Sequence, residues 1–126
     1  MPAVALDDMS ESQLRNELNV LTDIESSLKS KKDELEASVR AIQEDVINTR
    51  NIHDAWARRL KLWQGDNSHT KFIKAKHNVY SAQLTEFVDL MKLLETELLR
   101  MDCRIEAVQE DCERVRARLN DISQAS

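Results

Sequence analysis

Cys103, Cys112, His53, His69 and His77 are the residues of this 126-residue chain that could ligate a transition metal or supply a nucleophile with its base. A structural zinc ion needs about four such donors converging tetrahedrally on one point. On long helices these five point to opposing faces, so no metal site is expected. Cys103 and Cys112 stand nine residues apart on different faces of one helix, so they cannot reach the Cα separation of about 7 Å or less that a disulfide requires. The chain therefore reads as reduced and intracellular, cytoplasmic or nuclear. It has no glycine-rich phosphate loop, no Cys-x-x-Cys, no His-Glu-x-x-His, and no Ser, His and Asp set that a cleft could gather. Catalysis depends on preorganised, water-poor sites. With the many acids reading as helix-surface charges, the chain is expected to be non-enzymatic, with no catalytic residues, no cofactor and no small-molecule substrate.

The elements that must carry these side chains are written in the hydrophobic spacing. One ladder alternates steps of four and three from Leu14 through Leu21, Leu28, Leu35, Ile42 and Trp56 to Trp63, interrupted by Glu25, Lys32, Thr49 and His53. A second runs from Ile73 through Leu84, Met91, Leu98, Ile105, Cys112 and Leu119 to Ile122, interrupted by His77. A repeat of 3.5 residues held for about seven heptads marks helices that bury a narrow stripe against one another. One Gly, one Pro and 33% charged residues agree with a long-helix protein. No apolar run approaches the roughly 18 residues of a membrane span, and Met1 to Ser10 lacks the pattern of a secretory signal, so a soluble protein is expected.

Residues 1–9, with Pro2, read as a flexible N-terminal tail, and Ser10 with Gln13 forms a capping box that starts a helix. The spacing predicts a helix over 10–63, a turn over 64–68 and a helix over 69–123 within one helical domain, 10–126. Gly65 is expected to take the left-handed conformation that closes the first helix, and Asp66, Asn67 or Ser68 to cap the second. Antiparallel pairing in which facing residue numbers total 133 puts each a layer against a d layer, as in Leu60 with Ile73, Trp56 with His77, His53 with Tyr80, Val46 with Phe87 and Leu14 with Leu119. A total of 140 keeps the same layers but centres the turn on Thr70 and spends Lys71 as loop. A parallel homodimer of opened chains is the rival fold. The favoured class is all-α, a long antiparallel two-helix coiled-coil hairpin that pairs with further helices into a four-helix bundle. Glu17 with Arg118, and Lys29 with Asp102, are expected to flank the seam.

Two surfaces are candidates for function. Ile24, Ile52, Val88, Leu90, Leu93 and Leu99 lie outside the a and d stripe, and Leu84 to Met101 is too apolar for two helices alone. They are the expected partner-binding residues of a structural subunit or adaptor that joins another coiled-coil protein or a second copy of itself. Around the turn, Arg58, Arg59, Lys61, Lys71, Lys74 and Lys76 face the single acid Asp66, a local charge of +5 that leaves −10 for the rest of this −5 chain. They are the candidate polyanion-binding residues of the alternative function, a tip-directed binder of an acidic filament such as a microtubule or of an anionic membrane.

Overall fold

The computed structural model describes residues 6–63, 65 and 67–125. Their order is a short 3-10 helix, Leu6–Asp8, then α1, Glu11–Leu62, and α2, Ser68–Ala125. The two long helices pack against each other as a helical hairpin with no strand among the described residues. The fold divides into a chain-end unit, Met1–Glu34 with Leu98–Ser126, and a turn-bearing unit, Leu35–Glu97. No helix among the described residues is long and apolar enough to cross a membrane.

In the chain-end unit, Ser10 caps α1 reciprocally: its Oγ accepts from the Gln13 N–H at 3.2 Å, while its own N–H donates to Gln13 Oε1 at 2.8 Å. Met9 precedes that cap and joins Leu14 in one apolar cluster, the staple that fixes how a chain enters a helix. Residues 6–9 thus depart from the expected loose tail. Leu6 and Met9 pack on Leu14, Leu21, Cys112 and Val115, and the Met9 N–H donates to the Leu6 carbonyl at 3.2 Å. Residues 1–5, the remainder of that tail, lie outside the described residues. The cluster brings Leu18, Val108, Leu119 and Ile122 onto the same core, in keeping with Leu21 facing Cys112 and Leu14 facing Leu119.

In the turn-bearing unit the buried residues are Val39, Val46, Thr49, Thr70 and Ile73. Throughout the described residues every buried side chain except Thr70 is a ladder position, and Thr70 is the ladder's own next step, three residues before Ile73. Other rungs, such as Leu28, Leu60 and Leu84, are half-buried, because a seam between two helices leaves its flanks open to water. Asn67 caps α2, its Oδ1 accepting from the Thr70 N–H at 2.9 Å and the Thr70 hydroxyl at 3.1 Å. Thr70 and Lys71 lie inside α2, which removes the alternative register that made them loop.

Gly65 corrects one expectation: it has no positive φ, and a Cβ built on it meets nothing within 4 Å. A connection running from Trp63 to Asn67 is long enough to reverse the chain without a left-handed glycine. Gln64 and Asp66, the other expected turn formers, lie outside the described residues. Because alanine restricts the unfolded chain more than glycine does, Gly65→Ala is expected to stabilise the protein by about 0.4–1 kcal/mol. Urea denaturation followed by circular dichroism checks this, and a loss of stability would mean that the turn needs a conformation closed to alanine.

Candidate interaction surfaces

The polar rungs come to rest in ways that simple layer pairing does not give. Lys32, a ladder residue, reaches out of the seam to Asp102 on the facing helix, Nζ to Oδ1 2.7 Å, the contact expected of Lys29. Its long stem allows the ammonium to leave the apolar layer for water. Lys29 lies 3.5 Å from Glu25 on its own helix instead. Arg118, expected beside Glu17, has its Nε 3.8 Å from Asp7 Oδ1, because the chain before Ser10 folds back on α2. Such partly exposed pairs contribute on the order of 0.5 kcal/mol each.

In the turn-bearing unit the rings of His53 and His77 meet at 4.6 Å between centroids, one ladder step from the expected His53–Tyr80 and His77–Trp56 facings. A knob in a coiled coil sits among four residues of the facing helix, so contact one ladder step away is as available as contact straight across. His53 Nδ1 also lies 3.2 Å from Asp54 Oδ1. Both rings are half-buried, and no group of three or more His, Cys, Asp or Glu among the described residues is placed to hold a metal. Cys112 is buried in the chain-end core, whereas Cys103 is exposed.

All six candidate cations, Arg58, Arg59, Lys61, Lys71, Lys74 and Lys76, are exposed. Two of them are ordered over aromatic rings. The Arg59 guanidinium carbon lies 4.7 Å from the Trp56 ring centre, and the Lys76 Nζ lies 5.7 Å from that of Phe72. Trp56 and Phe72 meet edge to face at 5.9 Å, so a run of cation, ring, ring and cation crosses from α1 to α2. Closer to the turn, Trp63 stands edge to face with His69 at 4.5 Å. The sequence placed Trp63 on the seam, but α1 has ended by then and the indole is half exposed.

The same crossing orients the unit's apolar surface. At about 100° per residue, Phe72, Val79, Leu90 and Leu93 fall within roughly 60° of one another on α2, and all four are exposed. Ile52 precedes Arg59 by seven residues and shares its side of α1, the side that meets Phe72 through Trp56. One side of the turn-bearing unit therefore presents Ile52, Phe72, Val79, Leu90 and Leu93 to solvent. Val88 is half-buried and belongs partly to the seam. Sequence reasoning passed over Val79, although its seven-residue spacing from Phe72 carries the signal. In the chain-end unit Ile24 and Leu99 are exposed as expected, and Val20, one turn before Ile24, joins them. The chain matches no family model, no curated protein and no solved structure.

Proposed function

We propose that this protein is a non-enzymatic assembly subunit, an adaptor that joins a second helical chain through the apolar side of its turn-bearing unit. The observation that carries this reading is the set of exposed large apolar side chains gathered there, Ile52, Phe72, Val79, Leu90 and Leu93. Water contact over such a stripe is unfavourable by about 25 cal/mol per Å² of apolar surface, and a partner helix removes it. A second copy is the simplest partner, since an isologous contact needs only one self-complementary patch and completes a four-helix bundle. The free thiols of Cys103 and Cys112 fit a reducing compartment, the cytosol or nucleus.

Light scattering tests the proposal. The unsubstituted protein is expected at a multiple of 14.6 kDa, and the Leu90→Asp, Leu93→Asp double variant at the monomer mass with its helicity intact. A mass that those substitutions leave unchanged would remove this face as the joining surface.

A further inference from the structure

The turn end of the hairpin has a chemistry that the assembly role does not use. Leu62, the last residue of α1, is 81% exposed, and Trp63 beside it is 50% exposed. Arg58 stands one turn behind Leu62, and Lys71 and Lys74 flank Phe72, all exposed. With a rise of 1.5 Å per residue, Arg58 sits about 6 Å behind Leu62 along the helix axis. That offset matches the roughly 5–10 Å by which a peripheral amphipathic element enters the boundary between lipid headgroups and acyl chains.

We propose that the turn end docks on an anionic phospholipid bilayer, with Leu62 and Trp63 entering the interface and Arg58, Lys61, Lys71 and Lys74 held against lipid phosphates. Charge complementarity singles out an anionic surface, since residues 58–76 carry +5 while the rest of the chain carries −10 and is repelled by it. The exposed apolar pair singles out lipid among such surfaces. A filament or nucleic acid recognised through charge gives Leu62 and Trp63 nothing to enter, whereas tryptophan is favoured at the headgroup level of a bilayer. Arg59 and Lys76, held over Trp56 and Phe72, add two further cations at this end.

Co-sedimentation of the full chain with vesicles tests this, using phosphatidylserine in phosphatidylcholine against phosphatidylcholine alone. The expected result is binding to the anionic vesicles only, weakened by salt. Reversal of Arg58, Lys61, Lys71 and Lys74 to Glu is expected to lower affinity at least a hundredfold, at about fivefold for each lost cation. Leu62→Ser with Trp63→Ser is expected to lower it at least tenfold. Indole emission should shift to the blue and be quenched by lipids labelled high on the acyl chain, and Trp56→Phe assigns that signal to Trp63. The quenching needs neither the charge reversal nor the serine substitutions, so it decides the matter if those variants lose helicity. Leu90→Asp with Leu93→Asp leaves the turn intact and should still sediment, which separates a failure here from a failure of the assembly role. Absence of binding to anionic vesicles overturns the proposal. Binding that needs the cations but ignores Leu62 and Trp63, with the indole unquenched, also overturns it in favour of a soluble polyanion or acidic protein.

Discussion

Leu14→Ala is expected to remove about 2–5 kcal/mol of folding stability, the range for truncating a fully buried leucine when its surroundings relax only in part. Leu14 has no exposed surface and touches three pieces of chain at once. It belongs to the first turns of α1, it packs with Cys112 and Val115 on α2, and it receives Met9 and Leu6 from the segment before the cap. The cavity left by alanine has little means of collapse, since the cap at Ser10 fixes α1 on one side and the seam fixes α2 on the other. Folding stability for a chain of this size is on the order of 5–15 kcal/mol in total, so the loss is a large fraction of it. Thermal unfolding at 222 nm should show a midpoint lower by on the order of 10 °C. A shift within about 0.5 kcal/mol of zero in urea would show that this end of the hairpin is not packed as described.

How much of this could be read from the chain depends on which interactions repeat. The two ladders repeat every seven residues, so each rung supports the next, and the buried positions from Leu14 to Val115, Thr70 apart, fall on them. The turn and both caps also follow from local chemistry, because Ser10 with Gln13 and Asn67 with Thr70 are short-range arrangements of side chain and backbone. What escaped was the non-repeating part. Leu6 and Met9 looked like tail residues because Pro2 and two acids surround them, yet Met9 lies five residues before Leu14, the spacing of a staple. Thr70 was hidden by its polarity, since its hydroxyl is satisfied by Asn67 and its methyl group continues the apolar stripe. Lys32 and Lys29 both had the reach to find Asp102. Their side chains are equal in length, so helix-crossing geometry and rotamer, which a heptad label does not encode, decided between them.

The surface was legible in composition but not in grouping. Arg58 to Lys76 stood out as a basic segment from charge alone, and Leu90 with Leu93 stood out as excess apolar residues. That Trp56 and Phe72 bridge the helices, and so place Ile52 on the same side as the α2 stripe, depends on rotamers and crossing geometry. No count of residues along one helix contains that information.

Val46→Asp should severely destabilise the turn-bearing unit, costing about 3–5 kcal/mol. Val46 is 5% exposed and lies on the seam, so the new carboxylate has to leave water there. Lys32 escapes the seam on four methylenes, but aspartate has one and cannot follow it. Val46→Asn has nearly the same shape without the charge and is expected to cost about 1–3 kcal/mol, the penalty for a buried amide with incomplete hydrogen bonding. The difference between the two variants in urea denaturation measures what the seam charges for ionisation apart from polarity. Equal costs for Asp and Asn would mean that water reaches this layer. The apolar stripe would then be too open at Val46 for two helices to close it, and a further helix would be needed to complete the core.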